Sequence, residues 1–229
     1  MVRARRPALS AERLLGHGRE ADIVDLGDGT VLRRYRAGGN PGHEALVMEH
    51  ARRHGYPVPR VVDVRDSALV LERMDGPTML EDLRRRPWLL RRQAGVLADL
   101  HARLHRIAAP PELRQAGPGD MVLHLDFHPH NVLLTDRGPV VLDWTNARRG
   151  DPALDVALTW VILSTSGGLL GRLFLRRYLL RRYLHDLGAT AVREALPLAA
   201  QRRLADRNVT EAERRRVRRL VRRQGRDPS

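Results

Sequence analysis

The sequence predicts an α+β fold with two lobes, a small β-rich N-terminal lobe and a larger helical C-terminal lobe. From Leu14 to Leu71 most apolar runs are short and strand-like, whereas after Gly76-Pro77 apolar residues recur at helical spacing. A chain of 229 residues with 42% hydrophobic content can bury a core in both lobes. We therefore assign residues 1–76 to the first lobe and 77–229 to the second, with a hinge at about 72–76 and a ligand cleft between the lobes.

The first lobe contains two predicted strand pairs and one helix. The first pair, 21–26 and 30–35, is joined by Gly27-Asp28-Gly29, a strong hairpin-turn signal. The second pair covers 61–64 and 68–71. Between the pairs, residues 42–54 carry apolar side chains at helical spacing and stop at Gly55, as helices often do.

The second lobe begins with a long amphipathic helix over 88–107, whose apolar side chains recur at three- and four-residue steps. A loop rich in Pro and Gly, 109–119, leads to three short apolar runs at 121–123, 132–134 and 140–142. The remainder, 152–224, is helical in pattern. We expect breaks in it near Gly167-Gly168, Gly188 and Asn208.

Composition narrows the function classes. The chain has no cysteine, which excludes disulfides, thiolate catalysis and zinc–thiolate sites and fits a reducing cytosol. Its start, MVRARRP, is polar with no signal-peptide core behind it, and the longest apolar run, 156–163, is shorter than the roughly 20 residues that span a bilayer. We expect a cytoplasmic protein without a membrane partner.

The net charge of +14 is concentrated at the C-terminal end. Residues 167–229 hold 17 of the 41 arginines but 6 of the 27 acids, and the chain has no lysine. This pattern favours a solvated arginine-rich helical tail over a specific nucleic-acid or anion surface. Any nucleic-acid binding is then expected to be weak and non-specific.

The segment that carries chemistry is HLDFHPHN at 124–131, followed by VVLDW at 140–144. Phosphoryl transfer requires a carboxylate that orients the attacking hydroxyl and accepts its proton, and Asp126 can supply it. Magnesium is a hard cation that prefers oxygen ligands, and Asn131 and Asp143 offer an amide and a carboxylate. Each stands beside a short apolar run that could anchor it.

These residues resemble a known family. The pattern H-x-D-x-x-x-x-N with an Asp twelve residues further on resembles the catalytic and metal loops of protein kinases. With GDPALDVA after it, the segment looks like the aminoglycoside phosphotransferase and choline kinase branch of the protein-kinase-like fold. The resemblance implies that Asp126 is the catalytic base, that Asn131 and Asp143 bind Mg²⁺, and that Asp155 braces the catalytic loop.

The same resemblance gives candidate ATP-binding residues in the first lobe. Gly16 and Gly18 stand where the family has its phosphate-covering loop, before the first predicted strand pair. Arg33 takes the place of the phosphate-binding lysine, because the chain has none. Glu44 resembles the acid that pairs with that base, with Glu49 as the competing choice.

At the hinge, the resemblance implies that the carbonyl of Glu72 and the amide of Met74 bind adenine through the backbone. The cofactors implied are ATP and Mg²⁺.

Other polar residues favour structural roles. His101 and His105 lie one helical turn apart without a third ligand nearby in sequence, so packing is favoured over metal binding. His128 is expected to support the catalytic loop. Arg148 and Arg149 could meet a substrate anion, but solvated arginines are the more common case. Asp151 before Pro152 is a good helix N-cap.

Three functions follow from these patterns, and the first is favoured: ATP-dependent phosphotransfer to a hydroxyl of a small molecule. The second is a protein Ser/Thr kinase, which the short segment between Asp143 and Gly150 disfavours. The third is a nucleotide-binding pseudoenzyme whose basic tail binds nucleic acid. Because the C-terminal region is rich in arginine, a neutral or anionic substrate is favoured over a polycationic one.

Overall fold

The computed structural model describes residues 13–17, 21–36, 39–166, 168–183 and 188–224. The N-terminal lobe is a five-stranded antiparallel sheet in the order β1-β2-β3-β5-β4, with helix α1 between β3 and β4. The bounds are β1 Arg13–His17, β2 Ala21–Asp25, β3 Thr30–Tyr35, α1 Pro41–Arg53, β4 Val61–Arg65 and β5 Ala68–Glu72.

Local sequence accounts for these elements. Gly27 and Gly29 adopt φ angles of 77° and 82° in the β2–β3 turn, a conformation that glycine reaches without steric cost. Helix α1 begins with Asn40, whose side chain accepts a hydrogen bond from the amide of His43, and with Pro41 in its first turn. The predicted hairpin, helix and second strand pair are therefore all present.

The C-terminal lobe consists of helices and two small two-stranded sheets, β6–β9 and β7–β8. Short 3₁₀ turns at Pro87–Leu89 and Pro129–Asn131 accompany them. The bounds are α2 Met79–Arg85, α3 Leu90–Leu104, β6 Met121–Leu123, β7 Val132–Thr135, β8 Gly138–Val141, β9 Arg148–Gly150, α4 Pro152–Ser166, α5 Gly168–Tyr183, α6 Ala189–Ala205 and α7 Glu211–Gln224. The breaks between the last four helices fall at the glycines and the asparagine where the sequence predicts them.

Three elements differ from the sequence-based expectation. Strand β1 precedes the hairpin, so Gly16 lies in a strand paired with Ile23 and not in a loop ahead of the first strand pair. Strand β9 and helix α2 were not predicted individually. Helix α2 begins with a capping box, in which Thr78 and Glu81 exchange side-chain and backbone hydrogen bonds.

The core of the C-terminal lobe forms around α4, which packs against α5, α6 and α7. The arginine-rich helix α7 is part of this core, because Val217 is fully buried and Leu220 packs against the same cluster. Arg216 also donates to the carbonyl oxygen of Thr165 at 2.8 Å. The predicted tail is thus a packed amphipathic helix, and its remaining arginines, such as Arg222 and Arg223, are exposed.

The predicted hinge, residues 72–76, begins at the last residue of strand β5 of the N-terminal sheet and packs against strand β7 of the C-terminal lobe. Gly76 has φ 149°, and a Cβ atom there would collide with the carbonyl oxygen of Leu134 in β7. The amide of Leu134 in turn donates to the carbonyl of Pro77 at 2.9 Å. This close approach of two backbones requires glycine.

Among the described residues, no helix combines the length and the apolar character needed to cross a bilayer.

Candidate active site

The loop 124–131 follows β6 and is held in an unusual backbone conformation. Leu125 has φ 59° and Asp143 has φ 63°, and these are the two non-glycine residues with positive φ in the described part of the chain. Such strain persists where surrounding contacts enforce it, and it is concentrated at functional sites. His124 links the two loops, because its Nδ1 accepts from the amide of Asp126 at 3.3 Å and its Nε2 donates to the carbonyl of Leu142 at 3.0 Å.

Asp155, in the first turn of α4, binds the backbone of the loop 124–131. Its Oδ2 accepts from the amide of His124 at 2.7 Å, and its Oδ1 accepts from the amide of Leu125 at 2.8 Å. This is the bracing contact that the family resemblance implies. Burial alone would raise the pKa of Asp155, but the adjacent His101 and His105 lower it well below its usual range.

His101 and His105 therefore have a third polar partner that is distant in sequence. Their Nε2 atoms lie 3.0 Å and 3.2 Å from Oδ2 of Asp155, and the three groups offer ligand atoms within 4.8 Å of one another. No third candidate ligand lies close to His101 and His105 in the sequence, but Asp155 lies next to them in the structure. With Asp155 already accepting two backbone N–H groups, hydrogen bonding accounts for the cluster.

Asp126 lies at the surface of the loop, where its side chain is 22% exposed. Its Oδ1 is 3.4 Å from Nε2 of His128 and 3.9 Å from Nη1 of Arg203, and its Oδ2 accepts from Nδ2 of Asn131 at 3.2 Å. Burial favours a raised pKa, but the hydrogen bond from His128 and the charges around it, including Arg203, lower the pKa of Asp126 well below its usual range. The carboxylate is thus ionised at neutral pH and able to accept a proton.

Asn131 and Asp143 lie in two hydrogen-bonded segments and offer hard oxygen donors. The Nδ2 group of Asn131 donates to the carbonyl of Asp126 at 2.9 Å, so its Oδ1 is the side-chain atom that could ligate a metal ion. The amide of Leu142 donates to the carbonyl of Asn131 at 2.9 Å and so joins the two segments. An amide oxygen and a carboxylate fit the ligand preference of Mg²⁺.

Arg33 connects the N-terminal sheet to Asp143, in the segment 140–144. Its Nη2 donates to Oδ1 of Asp143 at 2.6 Å, and its Nε lies 3.4 Å from Oε2 of Glu44. Glu44 is buried and accepts further bonds from the Tyr35 hydroxyl and from the amide of Trp144. Of the two candidate acids, Glu44 is the partner of Arg33.

Three of the remaining predicted ATP-binding residues, Gly16, Glu72 and Met74, lie among the described residues. Gly16 is in β1, where a Cβ atom would meet nothing within 4 Å, and Gly18 lies outside the described residues. Glu72 ends β5 and forms an ion pair with Arg137 at 2.8 Å. The same Arg137 lies 3.5 Å from the sulfur of Met74. Both hinge residues are thus held against the β7–β8 turn.

Sequence reasoning missed Arg203. This α6 side chain reaches Asp126 from the C-terminal end of the chain, and Glu213 of α7 accepts its Nη2 at 2.7 Å while Asp206 accepts its Nη1 at 3.1 Å. The sequence shows an arginine excess after residue 167 and a helical pattern there. Neither feature predicts the helix packing that brings Arg203 close to Asp126.

The two lobes, the paired loops and the inter-lobe contact of Arg33 define a protein-kinase-like fold. The resemblance seen in the sequence is confirmed, since the model of the phosphotransferase enzyme family APH matches residues 104–196. That range contains the loop 124–131, the segment 140–144 and α4.

One curated relative supports the same family. Streptomycin 6-kinase from Streptomyces griseus is 30% identical over an alignment of 142 residues, and the match covers 45% of this chain and 44% of that protein. The chain therefore aligns with less than half the length of this relative.

Solved structures share the fold over nearly the whole chain. A thermostable mutant of aminoglycoside phosphotransferase APH(4)-Ia, in ternary complex with ADP and hygromycin B, has TM-score 0.72 and 19% identity over 96% of this chain and 95% of that one. A choline/ethanolamine kinase family protein from Mesorhizobium loti has TM-score 0.62 and 19% identity over 96% and 89%. The streptomycin–ATP complex of APH(2")-IIa has TM-score 0.62 and 14% identity over 93% and 92%. At these identities the likeness is one of fold.

Proposed function

We propose that the protein transfers the γ-phosphate of ATP to a hydroxyl group of a small molecule. The observation that carries the proposal is that Arg33 of the N-terminal sheet contacts Asp143, while Asn131 contacts Asp126 in the loop to which the Asp143 segment is hydrogen-bonded. These residues provide a proton acceptor, two hard oxygen ligands and a fixed cation, which are the parts that phosphoryl transfer requires.

Each residue then has a distinct task. Asp126 orients the acceptor hydroxyl and accepts its proton. Asn131 and Asp143 hold Mg²⁺, which when bound neutralises phosphate charge. Arg33, fixed by Glu44, binds the phosphates.

Gly16 in β1, and Gly18 as the sequence motif implies, allow the backbone to approach the nucleotide phosphates. The backbone groups of Glu72 and Met74 bind the adenine, and the hinge they form separates lobes 1–76 and 77–229. A cytoplasmic location, where ATP is available, completes the proposal.

The acceptor is a free small molecule and not a peptide. The segment between Asp143 and α4 is short and is occupied by β9, which pairs with β6. That arrangement offers no extended platform for a polypeptide. The arginine surplus of the helical lobe favours a neutral or anionic acceptor over a polycation.

The test is a screen of hydroxylated metabolites for ATP-dependent gain of one phosphate, followed by mass spectrometry, with the Asp126→Asn variant as a matched control. We expect at least one compound to be phosphorylated by the wild-type protein and to be phosphorylated ~10²–10⁴-fold more slowly by the variant, the usual contribution of a positioned acid–base group. Equal rates in the two proteins would refute the assignment of Asp126.

A further inference from the structure

A cavity lies directly beside Asp126 in the helical lobe. Its volume is about 260 Å³, and its lining includes Asp126, Arg148, Arg202, Arg203 and Asp206. Because the catalytic carboxylate forms part of its wall, a molecule bound here would present its hydroxyl group to Asp126.

The three arginines of this cavity differ in how their charge is balanced. Arg203 is balanced, because Glu213 and Asp206 accept its guanidinium hydrogens at 2.7 Å and 3.1 Å. Arg148 and Arg202 instead donate to backbone carbonyl oxygens, those of Ala147 and Ala116, each at 2.7 Å. Within the described ranges, neither has a carboxylate at ion-pair distance.

Two further observations show that positive charge accumulates at this wall. The Nε atom of Arg202 is buried and has no hydrogen-bond partner among the described residues. Burial and the nearby Arg114 and Arg202 lower the pKa of Arg148. Partly buried cations without counter-ions are costly, so a bound anion would offset that cost.

We propose that the acceptor carries an anionic group, a carboxylate or a phosphate, that Arg148 and Arg202 bind while its hydroxyl faces Asp126. This inference rests on the proposed phosphotransfer and adds the substrate class. A guanidinium fork matches the planar or tetrahedral oxygens of these anions through paired hydrogen bonds. A polycation would meet like charge at the same wall.

The transfer step balances with ATP as co-reactant. The acceptor oxygen forms a bond to the γ-phosphorus as the bond from that phosphorus to the β–γ bridging oxygen breaks. ADP leaves with the bond's electron pair, and the hydroxyl proton passes to Asp126.

The test uses the full chain saturated with Mg-ADP, so that anions do not compete for Arg33. Four matched six-carbon probes are titrated by calorimetry: gluconate, glucitol 6-phosphate, neutral glucitol and cationic glucamine. We expect at least one anion to bind about tenfold or more tightly than glucitol, and glucamine to bind most weakly. The two anions distinguish carboxylate from phosphate recognition.

Variants connect this binding to the cavity. Arg148→Gln and Arg202→Gln should each weaken the anion about tenfold and leave glucitol unchanged, and Arg202→Lys should restore part of the affinity by keeping the charge. Arg177→Gln removes the same charge from an exposed position of α5 and should change nothing. Failure of both anions to bind, equal or tighter binding of glucitol or glucamine, or an Arg202→Gln effect no larger than that of Arg177→Gln would overturn the inference.

A parallel transfer assay with ATP distinguishes a failure of the proposed phosphotransfer from a failure of the proposed anion site. Anion binding through these arginines without phosphorylation of any screened compound would count against the proposed function and leave the anion site intact. Phosphorylation confined to neutral or cationic compounds would support the function and refute the anion site.

Discussion

Replacing Asp155 by asparagine should destabilise the protein strongly although the side chain keeps its shape. The carboxylate is fully buried and accepts from two backbone amides at 2.7 Å and 2.8 Å and lies 3.0 Å and 3.2 Å from two imidazoles. Asparagine retains one acceptor oxygen and directs an NH₂ group at donors. Removing one partner of a buried charged network typically costs ~3–5 kcal/mol, so we expect a loss of that size in the free energy of unfolding.

The measurement is urea denaturation of wild type and variant, followed by circular dichroism. Asp151→Asn is the matched control, because Asp151 caps the same helix from an exposed position and asparagine caps helices equally well. A loss below ~1 kcal/mol for Asp155→Asn, or equal losses in the two variants, would refute the view that Asp155 braces the catalytic loop.

The same network predicts a pH dependence. The folded-state pKa of Asp155 is lowered, so its stabilising contribution is fully present above the unfolded pKa of about 3.9 and is lost as pH falls through the lower folded pKa. The stability that Asp155 adds relative to Asp155→Asn should therefore persist from neutral pH down to about pH 4 and be lost only below it. A difference that shrinks already between pH 7 and 5 would contradict this.

Three other perturbations test separate parts of the account. Arg33→Ala should weaken ATP by roughly 10–100-fold and adenosine far less, since the lost contact is to phosphate; equal weakening in calorimetry would make Arg33 a structural residue. Gly76→Ala should lower the free energy of unfolding by about 1–3 kcal/mol because of the positive φ and the close backbone contact. Gly95→Ala on α3, where a Cβ atom meets nothing within 4 Å, should leave this free energy unchanged or raise it. Equal effects of the two substitutions in urea denaturation would contradict the hinge packing. Replacing the exposed Arg222 and Arg223 by glutamine should weaken any non-specific nucleic-acid binding of ~10⁻⁴–10⁻⁶ M and spare ATP binding. Nanomolar binding of one sequence at 0.15 M salt would instead indicate a recognition surface.

Sequence patterning predicted the fold well because most elements begin and end with local signals. The glycine turn of the β2–β3 hairpin and the breaks between the last helices are examples. Strand β1 was missed because the G-x-G at Gly16 indicates a loop, whereas pairing with Ile23 depends on the neighbouring strand. Helix α2 carried a readable signal in Thr78 and Glu81, the spacing of a capping box.

The candidate site was predictable only where its residues are close in sequence. Asp126 and Asn131 contact each other in the loop 124–131, and the segment that carries Asp143 is hydrogen-bonded to this loop, as the motif spacing predicts. The position of Arg33 beside Glu44 followed from the resemblance. In contrast, Arg203 reaches Asp126 through the packing of α6 on α4, and no local pattern determines which arginine of a basic helix faces inward.

The direct test of the account is a comparison of Mg-dependent ATP binding and turnover in Asp126→Asn and Asp143→Ala, using calorimetry and a phosphate-transfer assay on an accepted compound. The account predicts that Asp126→Asn binds Mg-ATP nearly as wild type does but turns over ~10²–10⁴-fold more slowly, because it loses the proton acceptor. Asp143→Ala should lose both Mg-dependent ATP binding and transfer, because it loses a metal ligand. Wild-type turnover in either variant would contradict the assignment of the site.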